Sequence, residues 1–305
     1  MIYQNLTELV GRTPLLNLQR MASLHGALAQ VVAKVEAFNP GGSVKDRVAL
    51  HMIEDAEARG LLRPGSVIIE PTSGNTGVGL AWISRVKGYE AIIVMPDSMS
   101  VERQSLLRAS GARIVLTPGA QGMKGAISEA ERLCGETPGA VILGQFTNPA
   151  NAEAHELTTG EEIWQDTDGQ VDIFVAGVGT GGTLTGTAST LKKHNPQIRI
   201  VAVEPADSAV LSGGKAGAHG LQGIGAGFIP EILDTKLIDE VIRVTDEEAY
   251  LAGRQLSATE GLLTGISSGA AVHAAIQLAL RSENKGKRIV VLLPDTGERY
   301  LSTKL

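Results

Sequence analysis

At 305 residues, 43% of them apolar, the chain is long enough for two modest α/β domains, and at 3% aromatic it is too poor in rings to offer a base-stacking platform. A net charge of −6 with no basic block argues against nucleic acid as the main partner. The single cysteine, Cys134, excludes an internal disulfide framework and suits a reducing cytoplasm; no segment reads as a leader or a membrane span, and the histidines show no metal-ligand spacing, so no metal is expected.

The first informative segment is Asn39-Pro40-Gly41-Gly42-Ser43-Val44-Lys45-Asp46-Arg47. Ser43 reads as a helix N-cap, and Asp46, three residues on, completes a Ser-x-x-Asp capping box. Val44, Val48, Ile53 and Ala56 continue the helix, so Lys45 falls in its first turn. The positive end of a helix dipole disfavours a further positive charge there, and a neutral amine is a nucleophile capable of forming a Schiff base. On this segment alone, the first reading to reach for is a surface lysine offset by Asp46.

Apolar runs at 67–69, 91–95, 113–116 and 140–143 alternate with helical stretches. The alternation recurs with runs at 171–176, 198–203 and 288–293. The pattern predicts an α/β protein with two open, mostly parallel sheets covered by helices on both faces, and a ligand at the carboxyl ends of the strands in the cleft between two domains. Two strand-to-helix turns are rich in Gly, Ser and Thr: Thr72-Ser73-Gly74-Asn75-Thr76-Gly77 and Gly177-Val178-Gly179-Thr180-Gly181-Gly182-Thr183. Backbone N–H groups and short hydroxyls converge in such turns and bind anions. The second also satisfies the Gly-x-Gly-x-x-Gly dinucleotide fingerprint, with Glu204 at the end of the next strand as the ribose-binding acid, so a nicotinamide cofactor is a rival reading that leaves Lys45 and the first turn unexplained. The glycine-rich stretch from Ser212 to Gly227 is expected as a loop near the cleft.

With these segments, Gly11-Arg12-Thr13-Pro14-Leu15, Gln145-Phe146-Thr147-Asn148-Pro149, Gly223-Ile224-Gly225-Ala226-Gly227-Phe228-Ile229-Pro230, Gly265-Ile266-Ser267-Ser268-Gly269 and Gly297-Glu298-Arg299-Tyr300-Leu301-Ser302 fall in one order along nearly the whole chain. In this the sequence resembles the cysteine synthases, or O-acetylserine sulfhydrylases, of the fold-type II pyridoxal-phosphate family, and their close relatives the cystathionine β-synthases.

The resemblance implies a tryptophan synthase β-like fold. Residues 39–148 would form a smaller, mobile substrate domain, and 1–38 with 149–305 a larger domain that binds the cofactor phosphate. It implies pyridoxal 5'-phosphate held by Lys45 as a Schiff base, with Lys45 also the catalytic base. Gly179, Thr180, Gly181, Gly182 and Thr183 would bind the phosphate, Asn75 the ring oxygen and Ser267 the pyridine nitrogen. Thr72, Ser73, Asn75, Thr76, Gln145 and Gly223 would bind the substrate. By position alone Asn75 could be a turn residue, Gln145 a strand-end cap and Ser267 a helix cap.

The implied reaction is β-replacement, converting O-acetyl-L-serine and sulfide to L-cysteine and acetate in a cytoplasmic homodimer that could also bind serine acetyltransferase. Two rivals remain within the resemblance. One is a regulator that accepts a partner's C-terminal peptide in the same anion site. The other is cystathionine β-synthase, using O-acetylserine or serine with homocysteine. It is raised by Asp295 in Pro294-Asp295-Thr296-Gly297, where many cysteine synthases carry serine, although Asp-x-Gly is also ordinary turn chemistry.

Overall fold

The β-branched runs of the sequence become strands of two separate sheets in the computed structural model, which describes residues 2–305. In chain order the strands are β1 (Leu15–Asn17), β2 (Gln30–Val35), β3 (Val67–Pro71), β4 (Glu90–Pro96), β5 (Arg113–Thr117), β6 (Ala140–Val141), β7 (Ile173–Gly177), β8 (Arg199–Pro205), β9 (Glu240–Val244) and β10 (Arg288–Leu293). The helices are α1 (Gln19–His25), α2 (Lys45–Ala58), α3 (Asn75–Lys87), α4 (Val101–Ala109), α5 (Gly122–Glu136), α6 (Ala150–Ala154), α7 (Gly160–Asp166), α8 (Gly182–His194), α9 (Asp246–Glu260) and α10 (Ile266–Ala279). A π-helical turn, His155–Thr159, joins α6 to α7.

The chain divides into two units. The first comprises residues 2–10 and Asn39–Asn151. Its sheet runs β5-β4-β3-β6, parallel throughout. Alternate side chains go to opposite faces, as a strand requires. Ile68 and Ile93 pack with Met52 and Ile53 of α2 and Leu80 and Ile83 of α3, while Ile69, Ile92 and Val94 pack with Ala126 and Ala130 of α5. Each fully buried Ile or Leu is worth about 1.5–3 kcal/mol of transfer free energy, which is why both faces need helices. A Cβ on Gly79 would lie 3.0 Å from the carbonyl oxygen of Lys45, so a glycine at that point lets α3 lie against the first turn of α2.

The second unit comprises Gly11–Phe38 and Ala152–Leu305. Its sheet runs β1-β2-β10-β7-β8-β9, parallel except for the antiparallel β1–β2 edge. Ile173, Val175, Val201, Val203, Ile289 and Val291 pack with the alanines of α10 on one face, and Phe174, Ile200, Ala202, Val290 and Leu292 are buried at the intervening positions.

The sheets agree with the α/β expectation, but two features differ from it. Strands β1, β2 and β9 were not legible as apolar runs. β2 carries Lys34, fully buried because its amine donates to the Thr13 carbonyl at 2.6 Å and pairs with Glu162 at 2.7 Å. The expected domain boundary also shifts. Residues 2–10 group with the first unit, not with 11–38, because Val10 packs against the core that contains Val48 and Leu80; at the other end the first unit extends to Asn151.

Candidate active site

Lys45 is the first residue of α2, as the helix-start argument requires, but the cap differs from expectation. The N-cap is Val44, already in helical conformation and without a side-chain cap bond. Ser43 contributes differently: its hydroxyl accepts a hydrogen bond from the Lys45 N–H at 3.2 Å. Asp46 does not close a capping box with Ser43. It is fully buried, and its carboxylate accepts from the Gly41 N–H and from Trp82 Nε1 at 3.1 Å. A Cβ on Gly41 would lie 2.4 Å from that carboxylate, so glycine is needed there. The burial of Asp46 and its neighbour Arg47 replaces the picture of a surface helix start, and Lys45 itself is half-buried.

In the same unit, β3 leads into the 72–77 turn and α3. The N-cap of α3 is Gly74, which brings no side-chain cap to the helix start. The Thr72 hydroxyl accepts from the Gly74 N–H at 3.3 Å, which leaves its proton for a ligand. The Ser73 carbonyl accepts from Arg103 of α4 at 2.9 Å. The structure brings Gln145 to this turn: buried Thr76 donates its hydroxyl to Gln145 Oε1 at 2.6 Å. The carboxamide nitrogen of Gln145 has no hydrogen-bond partner among the described residues, so its protons are available to a carboxylate. Gln145 is therefore not a strand-end cap. Its backbone is pinned instead, the N–H to Glu70 and the carbonyl to Asn151 Nδ2 at 2.7 Å. Asn75 opens α3 as its first residue.

In the second unit, β7 leads through Gly177 and Val178 to Gly181, the left-handed N-cap of α8 at φ +88, again with no side-chain cap. Gly182 and Thr183 are the first two residues of α8. A Cβ on Gly179 would come within 2.4 Å of the Gly223 carbonyl oxygen, and one on Gly223, at φ +98, would lie 3.4 Å from Ser267 Oγ. Thus the 179–183 turn, Gly223 and Ser267 meet in one place. Ser267 is the second residue of α10, whose N-cap is Gly265, so it is no helix cap. Its hydroxyl has no hydrogen-bond partner among the described residues. Glycine backbone with no room for side chains, an uncapped helix start and an unspent hydroxyl fit a phosphate-bearing ring with a basic nitrogen.

Sequence reasoning missed His155. It is fully buried in the π-turn, with Nδ1 2.8 Å from the Thr159 hydroxyl and Nε2 3.2 Å from the Thr183 hydroxyl. Gly186 allows this approach, since a Cβ there would strike the Ala152 carbonyl oxygen at 2.0 Å. π-turns inside helices recur at functional sites, but a lone histidine carries no such signal in a sequence. The ribose-binding role considered for Glu204 fails. The residue is buried, and its carboxylate is taken by the N–H groups of Leu211 and Ser212 and by the Ser212 hydroxyl. Asp295 is 1% exposed, and its Oδ2 accepts from the Tyr300 hydroxyl at 2.5 Å.

Among the described residues no group of three His, Cys, Asp or Glu side chains is placed to hold a metal ion, and no helix is long and apolar enough to cross a membrane.

The first unit holds a lysine at a helix start, an amine able to meet a carbonyl, and the glycine backbone and Ser267 of the second unit suit a phosphate-bearing ring. The chain belongs to the pyridoxal-phosphate-dependent enzyme family, whose model matches residues 6–295. It is 53% identical over 302 residues to a cysteine synthase of Staphylococcus aureus, covering 99% of this chain and 96% of that one. To cysteine synthase A of Escherichia coli it is 52% identical over 313 residues, covering 100% of this chain and 95% of that one. The solved structure of a cysteine synthase from Entamoeba histolytica matches with a TM-score of 0.96 at 46% identity, over 99% of this chain and 90% of that one.

Proposed function

We propose that the protein makes L-cysteine and acetate from O-acetyl-L-serine and sulfide. The observation that carries this reading is the end-to-end likeness to cysteine synthases, supported by the Thr76–Gln145 pair, whose unspent carboxamide protons suit an amino-acid carboxylate. Pyridoxal phosphate, when bound, supplies the electron sink that lets an amino acid lose its α-proton and then its β-substituent.

The chain's own residues do the rest. Lys45 would hold the cofactor through its amine and would take the proton from the substrate Cα. The 179–183 turn would hold the phosphate through backbone N–H groups and hydroxyls. Asn75 would hydrogen-bond the ring oxygen, and Ser267 would hydrogen-bond the pyridine nitrogen without fixing a full charge there. Thr72, Ser73, Thr76 and Gln145 hold the substrate carboxylate, with Gly223 beside the substrate. Fixing the carboxylate orients the Cα–H bond toward Lys45, and burial of Thr72, Thr76 and Gln145 keeps water from the reacting carbon. Acetate leaves with the C–O electron pair, sulfide brings the pair that forms the C–S bond at the same β-carbon, and the proton taken by Lys45 returns to Cα.

Cystathionine formation is not favoured, because the relatives at 52–53% identity are cysteine synthases. The test is steady-state turnover of the reconstituted enzyme with O-acetylserine and sulfide against serine and homocysteine. Higher kcat/KM with the second pair would overturn the proposal. We also infer a cytoplasmic homodimer able to bind serine acetyltransferase: the lone cysteine suits a reducing compartment, the assembly follows from the sequence resemblance, and sedimentation with and without the acetyltransferase checks the assembly.

A further inference from the structure

We propose that Glu70 is a positioning residue for substrate recognition, holding the Gln145 carboxamide at Thr76. The inference rests on the carboxylate-clamp reading of Gln145. Glu70 lies on β3, 1% exposed, and its carboxylate accepts three consecutive backbone N–H groups: Leu143 at 3.2 Å, Gly144 at 3.1 Å and Gln145 at 3.2 Å. These residues belong to no helix or strand, since β6 ends at Val141 and α6 begins at Ala150. Gly144 takes φ +69, which turns successive N–H groups toward one point. The turn is thus an anion nest filled by the chain's own carboxylate.

Two features tie this nest to the clamp. Glu70 and Thr72 are two residues apart at the end of β3, so the strand that carries Thr72 into the clamp also carries the anchor of Gln145. Gln145 is both the third donor to Glu70 and the acceptor for the Thr76 hydroxyl. A carboxylate suits the task because its two oxygens accept all three N–H groups, whereas a carboxamide would turn an NH2 toward one of them. Burial pushes the Glu70 carboxyl above its ordinary pKa against the pull of the three N–H bonds.

The test is a double-mutant cycle in the reconstituted holoenzyme with E70Q, Q145A and the double variant, reading KM against kcat for O-acetylserine and the hydrogen exchange of the 143–145 amides. Q145A should raise KM at least about tenfold, the loss of one hydrogen bond to a charged group. E70Q should raise KM about tenfold at full cofactor content and lose amide protection at 143–145, yet add less than about twofold in the Q145A background. An equal E70Q factor in both backgrounds, or wild-type KM and protection in E70Q, would overturn the role of Glu70 while leaving the clamp intact. An unchanged KM in Q145A would remove the clamp reading and this inference with it. If E70Q fails to fold, E70D keeps the charge, withdraws it by one methylene, and goes through the same cycle.

Discussion

The carbonyl oxygen of Gly223 stands where a Cβ on Gly179 would come within 2.4 Å of it, so the phosphate turn and the Gly223 loop fit together only as glycine backbone. Gly179→Ala should therefore push the two apart, at a cost of about 1–3 kcal/mol for overpacking. The expected outcome is a folded protein that binds pyridoxal phosphate at least about tenfold more weakly, measured by titrating the visible absorption band. Wild-type affinity would show that the turn does not hold the phosphate.

Lys45→Ala should abolish β-replacement while the 179–183 turn still retains some cofactor noncovalently. Loss of general-base help alone is worth about 10²–10⁴-fold in rate, and loss of the covalent anchor adds to it. After borohydride reduction, mass spectrometry should find the cofactor on the peptide containing Lys45 in the wild type and nowhere in the variant. A reduced adduct on another lysine would move the site.

Asp295→Ser should lower stability without changing acceptor choice. It takes the acceptor away from the buried Tyr300 hydroxyl, which costs about 1–3 kcal/mol. The expected readout is a lower Tm with an unchanged ratio of sulfide to homocysteine turnover. A selective fall in homocysteine turnover would restore Asp295 as a specificity residue.

Glu240 predicts a pH effect on stability. Arg281 bonds both of its oxygens, at 2.7 and 2.9 Å, Arg199 adds a bond at 2.8 Å, and the pair with Arg281 holds the carboxyl below its ordinary range. A depressed folded pKa contributes stability that is present above the unfolded value of about 4.3 and is lost as pH falls through the folded value. Glu240→Gln should cost about 1 kcal/mol at neutral pH, discounted for partial exposure, and the gap from wild type should close in acid. Thermal unfolding across that range checks it; a constant gap down to the lowest pH would refute the assignment.

The strand pattern and the glycine turns were legible in the chain because they are local. β3, β4, β7, β8 and β10 are apolar runs that need both faces covered, and the turns at 72–77 and 179–183 carry the residue types that an anion nest requires whatever lies around them. Lys45 at a helix start was legible for the same reason. The tertiary structure decided what depends on residues distant in sequence. Val10 joined the first unit through packing, and Asp46 left its expected cap for Gly41 and Trp82. Ser267 kept its hydroxyl for a ligand, Glu204 gave its carboxylate to Leu211 and Ser212, and Asp295 took up the Tyr300 hydroxyl through Oδ2. His155 behind Thr183 and Glu70 beneath Gln145 had no signal of their own, because a buried polar side chain takes its role from the partner that satisfies it, and only the folded chain supplies that partner.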